Sequence, residues 1–494
     1  MSAPSVTPDA EAYRLMRAGR LAEALRFAEE AVAAKRACSP THGVLAMILL
    51  RLGRPAEADA VIESAIRCNA GTGDAYNSLA HVARALGRHE RANVLYRRAV
   101  ELGPRVSRHW YNLAASERSF GRLAQAEAAC DRAIALDPRE YRGYLLRAEL
   151  RTQTAAANHI AQLRRELARP GLTTQAQVLL GYALGKELDD LGQYEQAFEA
   201  FALAASARRQ ESGFDVALEE RKLERIIEAF PRGAASAATG RIDSSRFVFI
   251  VGLPRSGTTL LERILTGLPE VHSNGETDNF ERAVIAASPA GQGAADEGVL
   301  NVCARAAVLD WDAVAAGYAR LAAGSARRIV IEKLPLNYLY LGAIDRALPQ
   351  ARLVLVSRAP VDVCFAMYRT LFGDAYPFTY DFEDLARYYA AYSRLMAHWQ
   401  DACGESLHQI RYEELVSDPI RAASTLARAC GLEWRDAAVE VERNTALCLT
   451  QSAAQVRRPI YRSSSGHWRH YRAQLGPLIE ALRHHGVSLA ELDS

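Results

Sequence analysis

The residues best suited by type and spacing to do chemistry lie in RFVFIVGLPRSGTTLLERILTGL, residues 246–268. Gly252, four intervening residues, Gly257 and then Thr258-Thr259 follow the spacing of a phosphate-binding loop. A helix that opens on such a loop offers unpaired backbone N–H groups and the positive end of its dipole, and glycine lets an anion approach the backbone. Thr258 stands where a nucleoside triphosphatase needs the lysine that reaches the β- and γ-phosphates, so triphosphate chemistry is poorly supported. The nearby cation is Arg255, whose planar fork suits a terminal anionic group. A shorter anion is implied.

Positioning this loop requires a strand before it and a helix after it. Phe247 to Val251 is an unbroken apolar run suited to a strand buried on both faces, and Leu260, Leu261, Ile264, Leu265 and Leu268 recur at helical spacing. Further strands are expected at 328–332, 352–357 and 407–412, with the first spanning 246–252 and helical stretches between them. This βαβ pattern predicts a three-layer α/β domain with a parallel sheet. Arg255 follows the first strand, Lys333 the second and Arg358 the third, while Tyr412 ends the fourth. Ligands bind outside the carboxyl ends of such strands, so these residues are expected to share one crevice.

Two further residues invite a chemical reading. Lys333 at a strand end could be a solvated lysine, a partner of Glu332, or a cation placed beside a leaving group. Glu276, in VHSNGETDNF, could cap a helix or serve as a base, with Asp278 as the fallback.

Upstream of the loop the chain is repetitive. Gly-Arg recurs at 19, 53, 87 and 121, 34 residues apart each time, and an alanine follows each glycine by five, at Ala24, Ala58, Ala92 and Ala126. The pattern degenerates after residue 139 and returns at Gly192, with Ala197 five on. A helical solenoid over residues 9–228 is expected, then a small, polar linker at 229–245, then the α/β domain from 246 to 494. The solenoid's groove could hold a peptide or partner protein; equally, the repeats could dimerise the protein or brace the second domain.

Composition narrows the setting. A formal net charge of +2 over 494 residues gives no polyelectrolyte argument for nucleic acid or anionic membranes. The N-terminus lacks the apolar core of a signal peptide and no stretch approaches a membrane span, so a soluble, cytoplasmic protein is expected. Eight scattered cysteines without C-x-x-C pairs, and twelve histidines without a zinc-type cluster, predict reduced thiols and no metal site.

PRSGTT after a hydrophobic strand resembles the 5′-phosphosulfate loop of sulfotransferases that use 3′-phosphoadenosine 5′-phosphosulfate (PAPS), and the 34-residue period resembles the tetratricopeptide repeat. Together they resemble the bacterial-type sulfotransferases that carry such repeats, which are similar to protein-tyrosine sulfotransferases. The resemblance implies PAPS as co-substrate, no metal, and an acceptor hydroxyl, with a protein or peptide tyrosine favoured over a carbohydrate or small molecule. It implies Glu276 as base, Lys333 and Arg255 as the cations of the reaction, and Ser452 as an assisting hydroxyl. Arg255, Ser256, Gly257, Thr258 and Thr259 would hold the 5′ side of the nucleotide. Arg358, Tyr412, Ser452, Gln455, Arg458 and His467 would complete its contacts. Ala366 departs from the family, which has a serine there for the 3′-phosphate; Arg369 and Tyr368 are the neighbours that could replace it. A non-catalytic repeat scaffold with a degenerate nucleotide fold is the alternative outside enzymology.

Overall fold

The glycine of each repeat has left-handed backbone, with φ between 71° and 75° at Gly19, Gly53, Gly87, Gly121 and Gly192. Each ends one helix and turns the chain into the next, as at Gly73–Ala85 to His89–Leu102 and Ser107–Ser119 to Leu123–Leu136. Ala24, Ala58, Ala92, Ala126 and Ala197 are all buried, because a methyl group is what the close approach of paired helices accommodates. The chain is described by a computed structural model over residues 8–34, 41–67, 71–231, 242–288, 298–322, 329–461 and 464–492. Among these residues no helix is long and apolar enough to cross a membrane.

The chain divides into two compact units, Met1–Thr152 and Gln153–Ser494. The first holds the four regular repeats and the helix Tyr141–Glu149. The second begins with the short helix Ile160–Leu167 and the pair Thr174–Asp190 and Tyr194–Ser212, which carries the returning Gly192 motif. This last pair folds with the α/β domain. The Tyr182 hydroxyl donates to the Tyr368 carbonyl at 3.1 Å, and its ring meets Tyr380 edge-on. The following helix, Val216–Ala229, runs along the long helix Phe382–Cys403 and is tied to it by Arg387 and Glu220. Of the expected connecting segment 229–245, residues 232–241 lie outside the described residues. Its two ends are packed into this unit: Phe230 is buried against Trp399, and Ser244 is buried with its hydroxyl accepting from the Gln350 N–H at 3.0 Å.

The α/β part is built on five parallel strands: β1 (Phe247–Val251), β2 (Val271–Ser273), β3 (Ile329–Lys333), β4 (Arg352–Ser357) and β5 (Leu407–Arg411), in the order β2-β3-β1-β4-β5. Four match the expected strands; β2, a three-residue edge strand, has no signature of its own. Alternation along β1 sorts its side chains between two layers. Val248 and Ile250 meet the helices Thr258–Leu265 and Pro419–Ala429, while Phe247 and Phe249 meet Phe280 and Tyr318 on the other face. Both faces are covered, which is why the strands read as continuous apolar runs. β1 lies centrally, with its neighbours added on opposite sides, so its carboxyl end is the switch point where a crevice opens.

The same alternation separates Glu332 from Lys333. Glu332 is fully buried in the aromatic layer opposite Phe249, and Asn337 Nδ2 donates to it at 3.2 Å. Burial pushes its carboxyl up from an ordinary 4.5 to about 7, against the lowering effect of Asn337. The folded state then holds a proton that the unfolded state releases, so stability falls as pH rises between these values. Glu332→Gln should remove this slope: its stability gain over the wild type, from urea midpoints, should grow between pH 4.5 and pH 8. A gain that stays constant over that range would contradict the assignment.

Candidate active site

The turn after β1 is strained as well as tight. Arg255 has φ 68°, a left-handed value that few side chains adopt, and Gly257, which caps the helix Thr258–Leu265, has φ 107°. The turn lifts the Arg255 side chain away from the sheet. Its two terminal nitrogens donate to Ser452 Oγ at 2.6 Å and Gln455 Oε1 at 2.7 Å. Both partners are neutral, and among the described residues no carboxylate pairs with this guanidinium. Burial, then the nearby Arg369 and Arg358, push Arg255 down to about 10, which leaves it charged at neutral pH. Ser256 is buried, and its Oγ has no hydrogen-bond partner among the described residues.

Strand register assembles the rest of the cleft. Ser357 on β4 pairs with Arg411 on β5, so the next residues, Arg358 and Tyr412, emerge side by side, with the guanidinium 4.5 Å from the ring centre. Arg358 donates to the Arg255 carbonyl at 2.9 Å, to Asp362 and to the Ser464 carbonyl, while the Tyr412 hydroxyl bonds Ser464 Oγ. Residues of the stretches 450–461 and 464–466 thus pack over the loop. The resulting cleft, open to solvent, is lined by Arg255, Gly257, Thr258, Thr259, Arg358 and Tyr412 from the sheet ends. Ser452, Gln455, Arg458, Tyr461 and Ser464 line it from the closing segment, and Ala366 and Arg369 from the helix after β4.

Lys333 and Glu276 stand apart from that lining, beside the same sheet end. Lys333 is opposite Ile250 near the end of β1 and is fully buried. The β2–β3 ladder continues past β2, with the Asn274 N–H on the Ile331 carbonyl and the Lys333 N–H on the Gly275 carbonyl, and this carries Glu276 to Lys333. Lys333 Nζ donates to Glu276 Oε1 at 2.5 Å and lies 3.6 Å from Glu262 Oε2. Burial alone would lower this lysine, but Glu262 and Glu276 outweigh it and raise it. Its partners are therefore these two carboxylates and not Glu332. Asp278, the fallback base, faces Arg282 instead.

Three sequence expectations meet a different arrangement: Lys333, expected in one crevice with Arg255, Arg358 and Tyr412, is buried outside the cleft lining. His467 does not line the cleft: Asp189, from the repeat helix Thr174–Asp190, accepts from its Nε2 at 2.7 Å and turns the imidazole away. Ser256 likewise does not line it, because the turn buries its hydroxyl beneath the loop. Glu262, Asp362 and Asp189 were not singled out by sequence. Glu262 had one available signal, an acidic residue in the apolar face of the loop helix at i+4 from Thr258; the other two are recognised only through their tertiary partners.

Residues 248–436 match the model of the sulfotransferase family, and residues 15–81, 77–141 and 182–211 match tetratricopeptide repeat models. An uncharacterised protein of Aquifex aeolicus is 29% identical over 348 residues, which are 68% of this chain but 45% of that protein, so the chain spans less than half of this curated relative. Among solved structures, the sulfotransferase domain of the Synechococcus PCC 7002 olefin synthase is 20% identical, with 49% of this chain and 95% of that one covered and a TM-score of 0.35. The sulfotransferase of Alicyclobacillus acidocaldarius is 21% identical, with 50% and 98% covered and a TM-score of 0.28. Residues 248–436 are a domain of the sulfotransferase family, preceded in this chain by tetratricopeptide repeats.

Proposed function

We propose that the cleft binds PAPS and that the domain transfers its sulfuryl group to an acceptor hydroxyl, a tyrosine of a protein or peptide. The observation that carries this reading is Arg255, half-buried near two other arginines and bonded to neutral side chains, at the mouth of a loop whose lysine position is Thr258. An anion with a short, dispersed charge relieves that guanidinium. The first-turn N–H groups of the helix Thr258–Leu265 add donors around the same loop.

In this reading Glu276 accepts the acceptor proton as the new bond from oxygen to sulfur forms. The bond from sulfur to the oxygen of the 5′-phosphate breaks, and 3′,5′-adenosine bisphosphate departs. Lys333 and Arg255 neutralise the oxygens that gain charge, with Ser452 assisting through Arg255, so cations of the chain do the electrostatic work and no metal is invoked. Lys333 also holds the Glu276 carboxylate in place, through the hydrogen bond from its Nζ to Oε1. An aromatic neighbour suits a phenolic acceptor: burial, then the nearby Glu276, raise the Tyr376 hydroxyl, and the Tyr376 ring meets Phe372 edge-on.

Calorimetric titration separates the donor classes: 3′,5′-adenosine bisphosphate should bind tightly and ATP with Mg²⁺ weakly, and the reverse order would end the reading. Glu276→Gln should cut turnover by about 10²- to 10⁴-fold, the range for a lost general base, while bisphosphate affinity stays near the wild-type value. Removing residues 1–152 leaves the second compact unit whole. That truncation should impair a peptide acceptor much more than a small phenol; equal losses would make the repeats a brace and not a substrate arm.

A further inference from the structure

The carboxylate of Asp189 gathers three elements. Its Oδ2 accepts from Arg369 at 2.6 Å, and its Oδ1 accepts from His467 Nε2 at 2.7 Å and from the Tyr471 hydroxyl at 2.5 Å. Asp189 lies in the last turn of the repeat helix Thr174–Asp190; Arg369 ends the helix after β4; His467 and Tyr471 follow the segment that closes the cleft. All four belong to the second compact unit. The junction is mostly buried and is walled by aromatic rings. Tyr471 packs on Phe365 with ring centres 4.5 Å apart, and Tyr194 of the repeat stacks on His470 at the same separation.

Arg369 also lines the cleft, together with Ala366 one turn before it and with Arg358. At Ala366 the wall has a methyl group where a hydroxyl would donate. Arg358 is already committed to Asp362 and to the Ser464 and Arg255 carbonyls. Arg369 has one terminal nitrogen on Asp189, lies near the Phe365 ring, and is among the residues that line the cleft. A long, flexible arginine is useful to a ligand only if it is held, and the carboxylate behind it does the holding.

We propose that Asp189 is a positioning residue for the 3′-phosphate of the nucleotide: a repeat helix fixes Arg369 in the cleft wall and anchors the closing segment through His467 and Tyr471. This rests on the nucleotide reading above and adds that the last repeat sets the selectivity for a nucleotide carrying a 3′-phosphate. Burial alone would raise the Asp189 carboxyl, but Arg369, His467 and Tyr471 hold it well below the usual carboxylate range, so the charge is present throughout the neutral range.

The test uses the full chain and two probes, 3′,5′-adenosine bisphosphate and adenosine 5′-monophosphate, which differ only in the 3′-phosphate. Wild-type protein should prefer the bisphosphate. Asp189→Asn should weaken bisphosphate binding by about tenfold, the worth of one hydrogen bond between charged groups, and leave the monophosphate within about twofold. Asp189→Glu should recover part of the loss. Tyr471→Phe, which keeps the ring packing and removes one hydrogen bond to Asp189, should give a smaller loss of the same selectivity, and it serves if Asp189→Asn does not fold. Equal weakening of both probes would assign Asp189 to fold stability alone and overturn the proposal, as would unchanged or tighter bisphosphate binding. Wild-type protein that fails to distinguish the two probes would overturn the nucleotide reading itself.

Discussion

A side chain at Gly252 would place its first carbon 2.4 Å from the Val356 carbonyl oxygen, and one at Gly257 would stand 2.5 Å from the Tyr412 ring. The turn after β1 is therefore pressed against two neighbours at once, β4 on one side and the start of the helix after β5 on the other. Only glycine permits that approach, and both glycines also need left-hand-region backbone. The contact makes the cleft: because the loop touches Tyr412, and Tyr412 stacks under Arg358, the cations at the ends of β1 and β4 are brought together by backbone packing before any ligand acts. Arg255, forced into φ 68° between the glycines, is part of the same arrangement.

Crowding cations in a partly buried cleft is costly unless each has a partner behind it. Asp362 stands behind Arg358, Asp189 behind Arg369, and Glu262 with Glu276 around Lys333. Asp362 and Asp189 are themselves buried, so those two arginines keep their orientation while their charge is partly compensated; at Lys333 the order is reversed, with the lysine fully buried and Glu276 the more exposed partner. Arg255 has hydrogen bonds to Ser452 and Gln455 in place of such a counter-charge. The asymmetry gives the cleft a direction, with its least compensated charge at the loop.

Much of this was legible in the sequence because it rests on local rules. The 34-residue period, the apolar runs of β1, β3, β4 and β5, and the loop glycines are patterns of short range, and the family model agrees with the fold they imply. The strand-end rule anticipated Arg255, Arg358 and Tyr412 around one cleft, since register brings them together, but it placed Lys333 there too, and that side chain is buried outside the lining. What escaped depends on tertiary pairing. β2 is three residues long, too short to show alternation, and exists because Glu270 to Asn274 pair along β3. His467 reads as a ligand from its place in the chain, but its ring is claimed by an aspartate 278 residues away. Ser256, singled out as a contact, has its hydroxyl under the loop, where only a local backbone reversal could put it.

The break between compact units at Thr152 and Gln153 separates two kinds of repeat. The pair that carries Gly192 shares hydrophobic contacts and a carboxylate junction with the α/β layers, so it cannot be lost or multiplied without disturbing them. The four regular repeats before it are stacked on one period and form a core of their own. Duplication or loss of a 34-residue module in that array would lengthen or shorten it by one step and leave the chemistry of the cleft unchanged. The inheritance of this architecture is accordingly split: array length is free to drift with whatever the array serves, while the last pair is bound to the domain it is built into.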